Sequence, residues 1–482
     1  MYTDWLHFRL NAEFWRDFCT HHFLPFANRS RWFSGKGRCP HSATVQHILE
    51  WLTHPSYLLI IRVDYEDEKE TYFLPVSLLA TKAQDVPGNA LITEIALSDG
   101  KDFTLVDAIY DESFRRALFQ HFNIGKSDKS LSTIHFKDID EPYRLSQILS
   151  TDSTNSLIVF NDKYLFKLYR KLSTDMNREI EMLTFIGQQC EFSNHIPTCF
   201  GAMVWLKDPG SNIALIFVQD FVSNARDCWS IVTSLTDGPL SPQFLVEKAA
   251  LLGRRTAEMH LVLHKPHCSD TDFVSEIFTK EYCRFITGRL IERLERCYAA
   301  LETCPSSWAK TILKAKALLL HFITTFESRS FQSYRIQVHG DFHLGQVLFN
   351  TKTGDYTIID FEGEQSNNVF ERRLKHSPWK DVTSMIRSFH YAATLTHNRW
   401  YESVCDAFLQ SFLKHTSELW VDKCECNDLF LFHLLERTVH ELAYEMHYRP
   451  QWINIPLCGL VEVIHKIETR QQTSTLLVES NS

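Results

Sequence analysis

The stretch that decides the fold reads Val338-His339-Gly340-Asp341-Phe342-His343-Leu344-Gly345-Gln346-Val347-Leu348-Phe349 and continues, after a turn, with Ile358-Ile359-Asp360-Phe361-Glu362-Gly363-Glu364. Its apolar segments, 347–349 and 356–359, are rich in aliphatic and aromatic residues that favour strands. They flank a segment of turn-forming residues that contains Gly354. This pattern predicts an antiparallel hairpin, which would bring Gln346 close to Asp360.

The polar residues of this stretch have the spacing that phosphoryl transfer requires. Asp341 precedes Gln346 by five positions, as the catalytic Asp precedes Asn in the kinase loop H-R-D-x-x-x-x-N, and Asp360-Phe361-Glu362 stands where kinases carry Asp-Phe-Gly. We therefore predict that Asp341 is the catalytic carboxylate and that Gln346 and Asp360 bind Mg²⁺. Glu362 would share a face with Asp360 in an extended segment and is a further metal ligand candidate. In the plainer alternative, both aspartates cap turns.

An earlier hairpin supplies a lysine. Residues 157–160 and 164–170 have strand composition around a short polar turn, and Lys167 lies on the second strand. Kinases use a lysine in this position to hold the α- and β-phosphates and to pair with a helix glutamate. The helix predicted over 177–188 offers Glu181 for that pairing. The alternative is that Lys167 is a surface lysine.

The rest of the chain predicts an α+β protein whose second half is mostly helical. After the strand 213–218, the sequence Gln219-Asp220-Phe221-Val222 lies where a kinase hinge would contact the nucleotide, so Gln219 and Phe221 are binding candidates. Helical periodicity predicts helices over 244–264, 272–303, 308–326 and 381–393. Residues 428–469 are also predicted to be largely helical, with breaks at Arg449-Pro450 and Ile455-Pro456. We divide the chain into a cap module (1–110), a nucleotide-binding lobe (111–222), a helical lobe (223–470) and a polar, frayed tail (471–482).

Composition excludes several classes of protein. The chain has 482 residues and a net charge of -9, with no basic excess that would favour nucleic acid or an anionic membrane. Its 13 cysteines are scattered and odd in number, which favours free thiols in a reducing cytosol. The N-terminal residues do not resemble a signal peptide, and the apolar runs are too short to span a bilayer. We expect a cytoplasmic protein.

Several segments together resemble the bacterial maltokinases, which belong to the aminoglycoside-phosphotransferase-like branch of the kinase fold. The matching segments lie along nearly the whole chain: Arg31–Arg38, Leu252–His260, His339–Leu348, Ile359–Glu364, Glu371–Arg373, Asp381–Ala393, and Tyr444-Glu445 with Arg449-Pro450. Gln346 and Glu362, in place of Asn and Gly, distinguish this family from the general phosphotransferases. One departure, Asn177-Arg178-Glu179, leaves Glu179 as a competitor of Glu181 for Lys167.

The resemblance implies a bilobal kinase fold with an N-terminal cap, a β-rich first lobe and a helical second lobe that holds the sugar. It implies transfer of the γ-phosphate of ATP, with Mg²⁺, to the anomeric hydroxyl of maltose, giving maltose 1-phosphate for α-glucan (glycogen) synthesis. Trehalose synthase and a maltosyltransferase are the pathway partners that it implies. Sugar contacts are expected from polar and aromatic residues in the matching segments, namely His343, Arg387, Tyr391 and Tyr444.

Two rival functions stay open at this point. A phosphotransferase acting on an aminoglycoside or an amino alcohol would need an acidic pocket, which Glu362 and Glu364 could provide. A non-catalytic kinase-like protein that binds nucleotide or glucan is the alternative from another class. Such proteins usually lose the catalytic aspartate, the metal-binding aspartate or the lysine, and this chain keeps Asp341, Asp360 and Lys167.

Overall fold

The computed structural model describes residues 12–49, 56–96, 102–125, 130–149, 154–173, 176–208, 211–234, 242–364, 367–397, 400–420 and 423–479. The chain divides into two compact units. The first comprises Met1–Gly187 and Pro197–Ser223, and the second comprises Gln188–Ile196 and Asn224–Ser482. The segment 188–196, which we had assigned to the nucleotide-binding lobe, therefore groups with the second unit. The division into four segments stays a prediction.

The first unit begins with an aromatic helical segment packed on an antiparallel sheet of six strands. Five of them follow one another in the chain, and the sixth, β10 (Lys171–Leu172), comes later. Helices α1 (Ala12–Phe18) and α2 (Leu24–Arg29) are joined by a π-helical turn, and strands β1 (Ser42–Leu49), β2 (Ser56–Asp64), β3 (Lys69–Leu79), β4 (Leu91–Ala96) and β5 (Asp102–Asp107) follow. The strand order is β1-β2-β3-β5-β4. Phe18, Phe23 and Tyr72 are fully buried in the core between helices and sheet. Burial of such large rings is the main stabilising contribution here.

A second six-stranded sheet follows helix α3 (Glu112–Ile124). Its strands are β6 (Leu131–His135), β7 (Ser146–Leu149), β8 (Ser156–Phe160), β9 (Tyr164–Leu168), β11 (Cys199–Asp208) and β12 (Ser211–Asp220), in the order β6-β11-β12-β9-β8-β7. The predicted hairpin around Lys167 is confirmed as β8 and β9, in which Phe160 pairs with Tyr164. Asn161 and Asp162 make the turn with positive φ, a conformation that Asn and Asp tolerate better than most residues. Helix α4 (Arg178–Gly187) comes after the hairpin.

Arg170 joins the two sheets of the first unit. The short strand β10 (Lys171–Leu172) pairs with β3, and the backbone N–H of Phe73 donates to the carbonyl oxygen of Arg170 at 2.8 Å. The Arg170 side chain is fully buried, with Nη2 at 2.6 Å from Asp107 Oδ2 and Nε donating to Ser156 Oγ at 2.7 Å. Its guanidinium also lies over the Trp32 ring. A buried ion pair thus connects the aromatic N-terminal module with the strand that carries Lys167.

The second unit is mostly helical. Its helices are α5 (Cys228–Thr233), α6 (Pro242–Leu263), α7 (Lys280–Leu301), α8 (Ser307–Lys314), α9 (Lys316–Ser328), α10 (Val369–Arg373), α11 (Trp379–Leu395), α12 (Tyr401–His415), α13 (Lys423–Tyr448) and α14 (Asn454–Glu479). Two small sheets complete it, one of β13 (Ala225–Asp227), β16 (Val347–Asn350) and β17 (Asp355–Ile358), the other of β14 (Glu276–Ile277) and β15 (Tyr334–Arg335). No described helix combines the length and hydropathy needed to cross a membrane.

Three expected elements differ from the structure. The helix predicted over 272–303 begins only at Lys280, because Glu276 and Ile277 pair with β15 instead. The helix predicted over 308–326 is two helices that meet at Ala315. Helix α14 continues to Glu479, so the frayed tail expected over 471–482 is wrong for most of its length.

Candidate active site

The hairpin at the centre of the second unit has the predicted register. Val347 pairs with Ile358, and β16 is joined to β17 by a turn in which Gly354 has a φ of 71°. At the open end of the hairpin, Gln346 Nε2 donates to Asp360 Oδ2 at 3.0 Å. The expected proximity of Gln346 and Asp360 is therefore confirmed. The hairpin works as a rigid support that fixes the separation between the catalytic loop and the second acidic segment.

His339 fixes the backbone at Asp341. The imidazole is fully buried, its Nδ1 accepts a hydrogen bond from the backbone N–H of Asp341 at 3.3 Å, and its Nε2 lies 2.9 Å from the carbonyl oxygen of Ile359. A neutral ring with the proton on Nε2 satisfies both contacts. Burial lowers the pKa of His339, which favours this neutral form. His339 therefore ties the Asp341 segment to the Asp360 segment.

Asp381 anchors the same loop from helix α11. Its carboxylate accepts hydrogen bonds from the backbone N–H of His339 at 2.8 Å and of Gly340 at 2.9 Å, and it lies 3.0 Å from His260 Nε2. Burial would raise the pKa of Asp381, but these partners outweigh burial and the net pKa is lowered. The carboxylate is therefore ionised at neutral pH, in a site that is 1% exposed. Asp381 and His260 lie in segments that resemble the maltokinases, but no role was predicted for either residue from the sequence.

The Asp341 carboxylate itself is accessible. Its side chain is 28% exposed, with Oδ2 at 3.7 Å from His343 Nε2 and Oδ1 at 4.0 Å from an Arg437 nitrogen. Burial would raise the pKa of Asp341, but His343 and Arg437 outweigh burial and the net pKa is lowered. A partly exposed, ionised carboxylate on a fixed backbone has the character of a group that accepts a hydrogen bond from a substrate hydroxyl.

The acidic segment provides an oxygen donor set. One carboxylate oxygen of Asp360 and one of Glu362 lie within 4.8 Å of each other, and the Gln346 amide contacts the same Asp360 carboxylate. Hard divalent cations such as Mg²⁺ take carboxylate and amide oxygens as ligands. Gln346 now directs Nε2 at Asp360, so its side-chain amide would have to flip by about 180° to offer its oxygen to a cation. The three side chains therefore fit a Mg²⁺ ion chemically.

The reason that we gave for placing Glu362 beside Asp360 was wrong. Asp360 has a φ of 67°, and residues 361–362 form a turn, so the segment is not extended and its side chains do not alternate. A positive φ is costly for a non-glycine residue and is typical of functional sites. The turn still brings the two carboxylates together, but by bending the chain.

In the first unit, Lys167 is paired with Glu179. Lys167 Nζ lies 2.8 Å from Glu179 Oε2, and the Tyr169 hydroxyl donates to the same oxygen at 3.1 Å. The Asn177 side chain accepts a hydrogen bond from the Glu179 backbone N–H at 2.8 Å, which fixes the start of helix α4. The structure thus gives Glu179 the role that we had assigned to Glu181, and that assignment is corrected.

Gln219 and Phe221 lie at the end of β12. Gln219 is buried in the strand, and among the described residues its Oε1 has no hydrogen-bond partner. The backbone N–H of Phe221 donates to the carbonyl oxygen of Lys163 at 2.7 Å, which closes the sheet beside the Lys167 hairpin. A buried hydrogen-bond acceptor without a partner is costly in a folded protein. A donor group on a bound ligand would satisfy the Gln219 oxygen. Nucleotide contacts from both residues stay predictions.

The four expected sugar contacts do not form one group. His343 lies beside Asp341, as described above. Arg387 is buried and donates to Glu441 Oε2 at 2.8 Å, and Tyr391 is buried and donates to Glu445 Oε1 at 3.1 Å. Tyr444 is 41% exposed and contacts Tyr448 with ring centroids 4.8 Å apart. Arg387 and Tyr391 are therefore each paired with a glutamate of helix α13, and their expected role as sugar contacts stays a prediction.

Two cavities with shared lining residues lie next to the catalytic loop. The first adjoins Gly340, and the second adjoins Phe285. Their walls share Arg293, Glu364, Lys380 and Glu436. The first is completed by Gly340, Ser384, His433, Arg437 and His440, and the second by Phe285, Ile286, Arg289, Leu290, Asn367 and His376.

Comparison with known proteins identifies the N-terminal module. Residues 26–111 match the family model of the maltokinase N-terminal cap domain. The chain carries a maltokinase-type cap. The resemblance to maltokinases that we inferred from the Arg31–Arg38 segment is thereby confirmed for this module. The matched residues contain strands β1 to β5 of the first sheet and most of its aromatic core, but not β10.

The kinase-like fold is also confirmed. A solved structure of glucosamine kinase in complex with glucosamine, ADP and inorganic phosphate aligns with a TM-score of 0.66 and 16% identity, covering 91% of this chain and 98% of that chain. A second crystal form of glucosamine kinase aligns equally well, with a TM-score of 0.66. The chain therefore has the α+β fold of the kinase-like phosphotransferases, and the predicted fold class holds.

A curated relative carries the same name. The glucosamine kinase of Streptacidiphilus jiangxiensis is 23% identical over 286 residues, which are 54% of this chain and 60% of that protein. The match thus spans less than two thirds of the relative's length.

Proposed function

We propose that the protein is an ATP-dependent kinase that transfers the γ-phosphate to the anomeric hydroxyl of maltose, giving maltose 1-phosphate and ADP. The observation that carries the proposal is the maltokinase cap at 26–111. The cap occurs in a chain that also has a kinase-like fold and a partly exposed Asp341 on a fixed loop. The product would feed α-glucan synthesis.

Each proposed role follows from the local chemistry. The Asp341 carboxylate accepts a hydrogen bond from the anomeric hydroxyl and takes its proton as the oxygen attacks the γ-phosphorus. The bond from this phosphorus to the bridging β–γ oxygen breaks, and ADP leaves with that oxygen. Lys167, oriented by Glu179 at 2.8 Å, contacts the α- and β-phosphates. Gln346, Asp360 and Glu362 would hold Mg²⁺, and the bound ion would supply positive charge to the phosphate oxygens.

The lining of the cavities is compatible with a sugar acceptor. The first cavity adjoins Gly340, next to Asp341, and the second is lined in part by Phe285, which is 37% exposed. An exposed aromatic side chain suits stacking against the apolar face of a sugar ring.

The second candidate is an amino-sugar kinase, because the relative that matches over 286 residues is named glucosamine kinase. ATP consumption with maltose, glucose, glucosamine and an aminoglycoside distinguishes the two. The proposal predicts the highest kcat/KM with maltose and a maltose 1-phosphate signal in ³¹P NMR. Preferential turnover of glucosamine would overturn it in favour of the second candidate. ATP hydrolysis without a phosphorylated sugar would contradict both.

A further inference from the structure

The two cavities beside the catalytic loop carry more positive than negative charge. Four basic side chains line them, namely Arg289, Arg293, Lys380 and Arg437. Two carboxylates line them, those of Glu364 and Glu436. The second candidate function, an amino-sugar kinase, needs a carboxylate that can pair with a protonated amine. It therefore matters whether Glu364 or Glu436 is available for such a pair.

Both carboxylates are already committed to partners within the protein. Glu364 Oε1 lies 2.6 Å from His440 Nε2, and Glu436 lies 3.3 Å from Lys380 Nζ and 2.8 Å from His433 Nδ1. An ammonium group would have to displace a charged or hydrogen-bonded partner to reach either of them.

Arg293 differs from the other two arginines of the cavity walls because it has no carboxylate partner among the described residues. Arg289 lies 3.0 Å from Glu371, and Arg437 donates to Glu441 at 3.2 Å. Among the residues that the structure describes, no carboxylate lies within salt-bridge distance of Arg293, although its side chain lines both cavities. A guanidinium has five N–H donors and no acceptor, so it can bind hydroxyl oxygens but not an ammonium. It also repels a positive charge through a partly screened interaction.

We propose that Arg293 determines acceptor specificity by selecting sugars that carry only hydroxyl groups and rejecting amino sugars. This inference rests on the proposed sugar kinase activity and adds a residue and a substrate class to it. Arg293 lines both cavities, the first of which adjoins Gly340, so its side chain lies in the region next to the catalytic loop. The relatives named glucosamine kinase would then differ from this chain in the charge of the acceptor site.

The test compares acceptors that differ only by an amino group. The kcat/KM values for glucose and glucosamine are measured near neutral pH for the wild type, Arg293→Glu, Arg293→Met and the control Arg296→Glu, with maltose as a reference. Arg296 lies on the same helix, but its side chain is 70% exposed and pairs with Glu292. We expect the glucose-to-glucosamine ratio to fall by about tenfold or more in Arg293→Glu, less in Arg293→Met, and not in Arg296→Glu.

The possible outcomes separate the two claims. An unchanged ratio in both Arg293 variants, or a wild type that uses glucosamine as well as glucose, overturns the specificity role while the kinase activity stands. A wild type that phosphorylates other neutral sugars but not maltose contradicts the proposed substrate and leaves the role of Arg293 intact. No phosphorylation of any sugar overturns both. Arg293→Met keeps the test valid if Arg293→Glu does not fold.

Discussion

The carboxylate of Asp381 accepts a hydrogen bond from the backbone N–H of Gly340 at 2.9 Å. It accepts a second from the N–H of His339, so one buried carboxylate holds the residues just before Asp341. The catalytic loop is therefore fixed by a helix that is distant in sequence. The orientation of Asp341 is a property of the helical core, and mutations away from the reacting atoms should change it.

Asp381→Asn should lower both stability and turnover. An amide has only one acceptor oxygen, so at least one of the hydrogen bonds from the loop is lost, and a buried N–H without a partner costs about 1–3 kcal/mol. Urea unfolding and kcat with saturating maltose measure the two effects. Asp406→Asn, at an exposed site on α12, is the control. Equal stability and kcat in Asp381→Asn and the wild type would contradict the anchoring role.

Glu179→Gln should raise the KM for ATP. The charge that holds Lys167 at 2.8 Å is removed while the size of the side chain is kept. Glu181→Gln is the matched control, because it makes the same chemical change two residues away on the same helix. Isothermal titration with ADP checks the binding step directly. A larger effect of Glu181→Gln than of Glu179→Gln would restore the assignment made from the sequence.

Stability should decrease in acid through Glu364 and Asp381. Their pKa values are lowered in the folded protein, so the unfolded chain binds protons more readily than the folded protein does. The stabilisation that they provide is complete above the unfolded values of about 4 and is lost as pH falls through the folded values. Thermal unfolding between pH 7 and pH 3 should show a smaller decrease for Glu364→Gln than for the wild type. If the unfolding temperature of the wild type and that of Glu364→Gln decrease equally with falling pH, Glu364 makes no contribution.

Breaking the buried pair of Arg170 and Asp107 should destabilise the first unit. Removal of one partner leaves an uncompensated buried charge, at a cost of about 3–5 kcal/mol. We expect Arg170→Met and Asp107→Leu each to lower the unfolding midpoint in urea, and the double variant to lose less than the sum of the two. Additive losses would show that the pair contributes no coupling between the cap and the strand of Lys167.

The sequence was sufficient where local chemistry decides the structure. Turn residues around Gly354 predicted the hairpin, and the hairpin alone brings Gln346 to Asp360. Glu181 was the wrong partner for Lys167 because residues two apart lie on nearly opposite sides of a helix, and the cap formed by Asn177 sets which side faces the lysine. Helix phase of this kind depends on where the helix begins, which composition predicts poorly.

Long-range contacts account for the other differences. The positive φ of Asp360 bends the segment that we took as extended, and strain of this kind is maintained by the surrounding structure. Arg387 and Tyr391 were predicted as sugar contacts from the sequence alone, which does not show that Glu441 and Glu445 on another helix pair with them. Asp381 was quoted as part of a motif, and only its contacts with the loop reveal what it does.

The central claim is that Asp341 is the catalytic group of a maltose kinase, and ³¹P NMR of reactions with ATP, Mg²⁺ and maltose tests it most directly. The wild type should produce maltose 1-phosphate. Asp341→Asn should produce no detectable sugar phosphate, while its thermal unfolding and its affinity for ADP stay close to those of the wild type. Formation of maltose 1-phosphate by Asp341→Asn at near-wild-type rate would contradict the account.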